Sequence, residues 1–445
     1  MQMLKQYVTA MNYESRRRSP GILKIAASLA MCATMTGCSV LPRPRVWRET
    51  GLAIGELAVF DQTMQDFMVS QEVSAAALAI TYNSRLVFAR GYSWARADAQ
   101  ATQPTWLFRI ASLSKPVTSA AVLKLVENGK LRLDEKVVNI LPFGRPEGQY
   151  PDPNLKEVTI LHLLQHLGGW DRNESFDPMF HDKTISQVLD VPLPISHADI
   201  ITFMNGQPLQ HKPGKKYAYS NYGYCLLGRV IEQRSGMAYD DYVRKKVLLP
   251  LGITSMRLGR SEFEDRAPGE VTYESKRGDV YGAFNLENMD SHGGWLAAAP
   301  ELARFAAAFD EPQDCPILSA ESIETMFAFP ETIAADDYKR GERYYACGWS
   351  VRDFGDGRRN TWHTGSLPGT YTFMARWSNG VNCVVLFNRR GDGFSEIDSL
   401  LSKAVKSVTV WPEHDLFGEM PQPGTDSCGA HKPRIEPQNL ATRSD

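Results

Sequence analysis

The sequence predicts an α+β fold: an antiparallel sheet flanked by helices, with a mostly helical segment inserted between its strands. Three observations predict it. Two apolar runs near the start, Ala75 to Tyr82 and Arg85 to Tyr92, are separated by only two residues. From about 130 to 345 the chain carries helical spacing and loop punctuation. The last third returns to strand-like segments. A sheet drawn from both ends of a chain has to close around what lies between them.

Each element has a local reason. Asn83-Ser84 joins the first two runs as a hairpin turn. Ser112 to Asn128 is predicted helical and is stopped by Gly129, with Val117, Ala120, Ala121, Leu125 and Val126 at helical spacing. Thr159 to His166 is a short helix ended by Gly168-Gly169, and Tyr222 to Arg234 a longer one ended by Gly236. Pro300 to Phe309 is a third, with proline in the first turn, where the missing N–H costs nothing. Ala346 to Phe354, Tyr371 to Trp377 and Val381 to Phe387 are predicted strands, the last two joined by Ser378-Asn379-Gly380. Phe394 to Val408 is expected to close the fold as a helix.

Composition narrows the function classes. The chain has 445 residues, 43% hydrophobic and 22% charged, enough for a large core and ordinary for a globular protein. A net charge of −2 without a basic block argues against a nucleic-acid partner. There is no P-loop and no G-x-G-x-x-G, so no cofactor is expected. Seven cysteines (Cys32, Cys38, Cys225, Cys315, Cys347, Cys383 and Cys428) include no C-x-x-C, so neither a zinc nor a redox site is expected. Cys347 and Cys383 stand in neighbouring strand-like segments where a bridge is conceivable, beside the simpler reading of single buried thiols.

The N-terminus is expected to be an address. Arg16, Arg17 and Arg18 precede a short apolar run from Ile25 to Gly37, too short to span a membrane but suited to a secretion signal. It ends Met35-Thr36-Gly37-Cys38, which resembles the lipobox of bacterial lipoproteins, with methionine where leucine is usual. That implies a signal over 1–38, lipidation of Cys38, and an exported, periplasmic protein whose only membrane contact is this anchor. Residues 39–60, proline-punctuated, are expected to be a tether, 61–411 the folded domain, and 412–445 a disordered tail.

Three short elements carry chemistry. Ser112-Leu113-Ser114-Lys115 is the chain's only S-x-x-K and stands at the head of a predicted helix. Residues three apart share a helix face, so the lysine amine can sit beside the serine hydroxyl, which needs a base to become nucleophilic. Alone the pattern is weak, and a capping serine with a solvated lysine is the better explanation of it. Tyr219-Ser220-Asn221 directly precedes a helix; its plain reading is a core tyrosine beside an asparagine N-cap. His363-Thr364-Gly365, followed by Ser366, precedes the strand starting near Tyr371; its plain reading is a turn. A tyrosine whose pKa is lowered by a cation can shuttle protons, an asparagine can orient a substrate amide, and a Thr-Gly edge can bring backbone N–H groups to a reacting carbonyl.

Taken in this order, the three elements resemble the serine β-lactamases and penicillin-binding proteins. The Y-x-N form is similar to that of class C β-lactamases, DD-carboxypeptidases of that group, and related esterases and D-aminopeptidases. Phe108-Arg109-Ile110-Ala111 before the serine, Leu125 to Leu131 after it, Ile160 to His166, and Gly293-Gly294-Trp295 look like further segments of the same family, so the resemblance covers about 61 to 411. It implies a β-lactamase/transpeptidase-like fold and a small-molecule or peptide substrate. It implies Ser112 as acylated nucleophile, Lys115 as its base or as the group tuning Tyr219, and Tyr219 as general base and acid. Asn221, His363, Thr364, Gly365 and Ser366 would bind substrate, with the N–H groups of Ser112 and Ser366 as oxyanion hole. His363 departs from the family's frequent lysine and is neutral at pH 7 by its reference pKa, which favours an ester or amide over a substrate with an essential carboxylate. Nothing resembles the class A deacylating glutamate, so deacylation falls to Tyr219 and water.

Rival readings are a metal site on His162 and His166, which stand four apart without an intervening H-E-x-x-H glutamate, and a slowly deacylating β-lactam or peptidoglycan sensor. No G-x-S-x-G elbow supports an α/β-hydrolase.

Overall fold

Strand-forming runs from the two ends of the chain meet in one antiparallel sheet. The computed structural model describes residues 44–144, 146, 148–276, 278–331 and 341–419. From one edge the sheet runs β1 (Arg45–Thr50), β3 (Arg85–Arg96), β2 (Ala75–Tyr82), β11 (Val381–Phe387), β10 (Thr370–Trp377), β9 (Arg359–Leu367), β8 (Ser350–Asp353) and β7 (Arg343–Tyr345). A second sheet orders β4 (Phe108–Arg109), β6 (Trp295–Ala297) and β5 (Arg257–Leu258). The β2–β3 turn is as the residues demand: Asn83 and Ser84 take φ of 48° and 63°, the left-handed pair of a tight hairpin.

The large sheet is buried on both faces, which is why its strands look continuously apolar. Along β2, Ala77 and Ala79 face one core while Ala76, Leu78 and Ile80 face the other. In β11, Val384 and Leu386 alternate in the same way with Cys383, Val385 and Phe387. Helices α1 (Ala58–Ser70) and α10 (Glu396–Ser407) cover one face through Phe60, Met64, Phe67, Ile397 and Leu401. The opposite core includes α2 (Ser114–Glu127), α3 (Ile160–Leu164), α4 (Asp182–Leu189), α5 (His197–Asn205), α6 (Asn221–Ser235), α7 (Tyr239–Val243), α8 (Ala299–Ala307) and α9 (Ala320–Phe327). The inserted helical segment therefore shares its core with the sheet rather than forming a separate one.

Four expectations are corrected. The tether over 39–60 ends early: Arg45–Thr50 pairs residue for residue with Arg96 back to Gly91, and Trp47 stacks on Tyr92 with ring centroids 5.6 Å apart. This edge strand is only half-buried, so its sequence looks like a polar linker. Ala346 to Phe354 is not one strand but the turn and second arm of a β7–β8 hairpin, bent where Gly348 takes φ 83°. His363-Thr364-Gly365-Ser366 is not a turn; it lies inside β9. The tail does not begin at 412: Leu416 is buried, Asp415 Oδ1 accepts from Leu86 N at 3.0 Å, and the Arg304 guanidinium lies 3.9 Å from the Phe417 ring.

Cys347 and Cys383 are both free thiols, one in each core, with the sheet between them. Cys38 and the export signal, like residues 420–445, lie outside the described residues.

Candidate active site

Ser112 is presented on a strained turn. A 3-10 turn (Ala111–Leu113) precedes α2, and Ala111 takes φ 49°, left-handed for a residue with a side chain. Strand β9 presses on this turn. A Cβ at Gly365 would sit 2.3 Å from the Ile110 carbonyl oxygen and 2.2 Å from Thr372 Oγ1. The glycine of the third motif is thus required by close approach to the serine's own turn, not by a bend.

Lys115 reaches back along α2. Its Nζ lies 3.1 Å from Ser112 Oγ, 2.8 Å from Asn221 Oδ1 and 2.9 Å from the His292 carbonyl oxygen. The side chain is fully buried. Burial first, then repulsion from Arg172, holds its amine well below the usual lysine value, against the pull of Asp177. Two of its positions go to Asn221 Oδ1 and the His292 carbonyl, which can only accept, and the third faces Ser112 Oγ: an N–H when the amine is protonated, a lone pair when it is neutral.

Tyr219 completes the group. Its hydroxyl donates to Ser112 Oγ at 2.9 Å, and Lys115 Nζ lies 4.8 Å from its ring centroid. Burial pushes its phenol up, against the Ser112 hydrogen bond and Arg172. A cation-lowered tyrosine is therefore not what the resting site holds: the Tyr219 phenol is a neutral donor beside an amine that burial holds below its usual value. His166, from the segment after α3, packs its ring 4.3 Å from that of Tyr219 and accepts the Ser220 N–H on Nδ1 at 3.2 Å. His162 Nδ1 instead accepts the Thr159 N–H in a capping box at the start of α3. Each histidine of the spaced pair thus has a backbone partner of its own.

Asn221 lines the cleft but both ends of its amide are engaged. Oδ1 takes Lys115, and Nδ2 donates to Asp177 Oδ2 at 2.6 Å. The N-cap of α6 is Ser220, whose Oγ accepts the Gly223 N–H at 3.1 Å. These bonds let Asn221 aim Lys115, and its amide keeps a second N–H and a second lone pair at the cleft wall.

His363 is buried and neutral. Its Nδ1 donates to the Thr364 carbonyl oxygen at 2.6 Å, so its Nε2 accepts from the Tyr345 hydroxyl at 3.0 Å. Burial and the nearby Lys115 push it down to about 3. Thr364 and Ser366 are exposed on β9, and all three line a cleft of about 610 Å³ with Ser112 and Tyr219. Strand β8 covers β9 only as far as Trp362, and a two-residue loop joins β9 to β10. That loop makes Leu367 and Thr370 the closing pair, so the Ser366 N–H points away from β10 toward the open edge.

Several residues of the site carry no sequence signal. Asp177 and His292 meet Asn221 and Lys115 across 44 and 177 residues of chain. Arg172 lies over the Tyr219 ring at 4.6 Å, Arg390 donates to Ser366 Oγ at 3.3 Å, and Arg343 lines the same cleft. Only the fold collects them.

A serine held between a buried amine and a phenol, where an antiparallel sheet meets a helical layer, is the arrangement of the β-lactamase and penicillin-binding-protein class. The chain belongs to the Beta-lactamase family, whose model matches residues 60–405. It is 28% identical to Penicillin-binding protein 4* of Bacillus subtilis (strain 168) over 334 residues, covering 70% of this chain and 65% of that one. The chain spans 50% to 65% of the length of the first curated relatives it matches. Among solved structures, the octameric penicillin-binding protein homologue from Pyrococcus abyssi superposes with a TM-score of 0.61 at 24% identity, covering 80% of this chain and 77% of that one. The D-amino acid amidase from Ochrobactrum anthropi SV3 does so at 0.58 and 21%, covering 80% and 100%. At these identities the likeness is one of fold.

Proposed function

We propose that the chain is a serine hydrolase that works through an acyl-enzyme on an ester, amide or β-lactam bond. The observation that carries this reading is the convergence on one oxygen: Ser112 Oγ has Lys115 Nζ at 3.1 Å and the Tyr219 hydroxyl at 2.9 Å. The neutral Lys115 amine takes the Ser112 proton as Oγ bonds to the substrate carbonyl carbon. The carbonyl oxygen becomes an oxyanion held by the N–H groups of Ser112 and Ser366. As the tetrahedral centre collapses, the leaving group departs with a proton from Tyr219. The Lys115 ammonium just formed, under 5 Å from that ring, makes the phenol more acidic than in the resting site. Water then repeats the steps in reverse on the acyl ester and frees Ser112.

The neutral His363 favours substrates that need no permanent cation at the third motif. Short-chain p-nitrophenyl esters are therefore expected to be hydrolysed with higher kcat/KM than cephalosporins. A specific observation favours a second reading. Arg172, Arg343 and Arg390 line the same cleft and restore positive charge that His363 does not supply. A β-lactam or a peptide with a free carboxylate would suit them. One panel of esters, cephalosporins and D-amino-acid peptides decides: a cephalosporin or peptide ranking above every ester overturns the first ranking. A burst of acylation without turnover marks a slowly deacylating sensor.

We also propose export with lipidation at Cys38, supported by the basic stretch, the apolar run and the lipobox-like residues alone. Cells expressing the full chain are expected to incorporate labelled palmitate into it. Label that persists after Cys38→Ala, or no label at all, contradicts the anchor.

A further inference from the structure

We propose that Arg172 is a positioning residue for the proton that Tyr219 delivers: its guanidinium, held over the Tyr219 ring, stabilises the phenolate that forms as the leaving group takes that proton. The inference rests on the hydrolase reading of the cleft and adds a group that the reading does not use.

Arg172 meets both proton handlers. Its guanidinium carbon lies 4.6 Å from the Tyr219 ring centroid. Its Nη1 lies 3.5 Å from Asp177 Oδ2, which also accepts Asn221 Nδ2 at 2.6 Å. Asn221 Oδ1 in turn takes Lys115 Nζ at 2.8 Å. The cation thus touches the phenol directly and reaches the amine through Asp177 and Asn221.

The turn that carries Arg172 is braced, although the side chain itself is 41% exposed at the cleft. The Asp171 carbonyl accepts the Ser175 N–H at 2.9 Å and the Ser175 hydroxyl at 2.8 Å. The Asp171 N–H donates to Gln210 Oε1 at 2.9 Å, and its Oδ2 accepts from His211 Nε2 at 3.0 Å. The residue before Arg172 is therefore fixed on both its backbone and its side chain.

The chemistry follows from the charge. A guanidinium attracts a neutral ring only through the ring's quadrupole. A phenolate carries a full negative charge, so at the same distance the attraction is stronger. Arg172 therefore favours the phenolate over the phenol. It stays charged through the whole cycle, whereas Lys115 becomes a cation only after taking the Ser112 proton. Burial dominates at both groups, pushing the phenol up and the amine down, and Arg172 lowers each of them. His363, buried and neutral, adds no such charge from β9.

The step balances within the site. The bond from the tetrahedral carbon to the leaving oxygen breaks, and that oxygen keeps the electron pair and takes the Tyr219 proton. The phenolate is then reprotonated by the Lys115 ammonium, which returns to the amine.

The test compares p-nitrophenyl acetate with p-methoxyphenyl acetate, esters of similar size. The p-nitrophenolate leaves readily as an anion. The p-methoxyphenolate is about as basic as an ordinary tyrosine phenolate and needs the proton. In Arg172→Met, kcat/KM for the p-methoxyphenyl ester is expected to fall about tenfold further than for the p-nitrophenyl ester, part of the roughly 10²–10⁴-fold that an acid–base group supplies. Arg172→Lys, which keeps a cation, is expected to recover most of that difference. In a Tyr219→Phe background, Arg172→Met is expected to treat the two esters alike. An equal fall for both esters, no fall, or a selective fall that persists with Tyr219→Phe overturns the role of Arg172 while leaving the hydrolase reading intact. A change confined to the KM of substrates bearing a carboxylate places Arg172 in substrate recognition and overturns it too. Absence of Ser112-dependent turnover of either ester overturns both.

Discussion

Ser112→Ala is expected to reduce ester turnover by about 10⁴-fold or more, the scale seen when an acyl-transfer enzyme loses its nucleophile. Among the described residues, neither of the other serines near the site can replace it. Ser114 donates its hydroxyl to the Ala111 carbonyl oxygen at 2.7 Å and is fully buried within the turn. Ser366 lies across the cleft on β9, with its hydroxyl in contact with Arg390 rather than with a base. The substitution leaves the Ala111 turn and the Lys115 bonds to Asn221 and His292 in place, so the melting temperature should move little. A variant that keeps its fold and retains turnover within tenfold of the native protein would show that the hydroxyl is not the nucleophile.

Lys115→Met is expected to cost about as much, and the pH profile distinguishes its role from that of Tyr219. A base acts only when deprotonated. Burial lowers the Lys115 amine well below the ordinary lysine value, so kcat/KM should rise with pH through that depressed pKa and level off below the normal lysine range. Lowering the pH through it protonates the amine and removes activity. Burial moves the Tyr219 phenol the other way, so a profile still climbing through the normal tyrosine range would make the phenolate the base and contradict this assignment. Tyr219→Phe is expected to slow acyl transfer by about 10²–10⁴-fold while keeping the acid limb, because that limb belongs to Lys115. Near-normal rates in Tyr219→Phe would remove the phenol from the mechanism. Methionine preserves most of the lysine's volume but leaves Asn221 Oδ1 and the His292 carbonyl without their donor, a stability cost of about 1–3 kcal/mol each. Thermal melts therefore accompany the kinetics.

What the sequence disclosed was what is local. The Asn83-Ser84 hairpin, α2 and its S-x-x-K, and α6 behind Tyr219 each depend on neighbours a few residues away, and each was legible. The third motif was legible as residues but not as structure. Thr364-Gly365 looks like a turn because glycine usually marks one, whereas Gly365 is there to admit the Ile110 carbonyl. The edge strand Arg45–Thr50 was not legible because one side is open and its residues, Arg-Val-Trp-Arg-Glu-Thr, lack the apolar–polar alternation of a half-buried strand. The residues that surround and orient these groups were not legible at all. Asp177, Arg172 and His292 have no fixed spacing from Ser112, and their meeting is a consequence of how the helical layer lies on β9. Pairing of Cys347 with Cys383 failed for a related reason: adjacency along a sheet does not say which face a side chain takes.

The account stands on one oxygen becoming covalently bound. Incubating the protein with a fluorophosphonate, digesting it and mapping the adduct by mass spectrometry tests that directly. The expected result is a single stoichiometric modification on Ser112, slowed markedly in Lys115→Met and absent in Ser112→Ala. An adduct on any other residue, or labelling of the Ser112→Ala protein at the native rate, would contradict it.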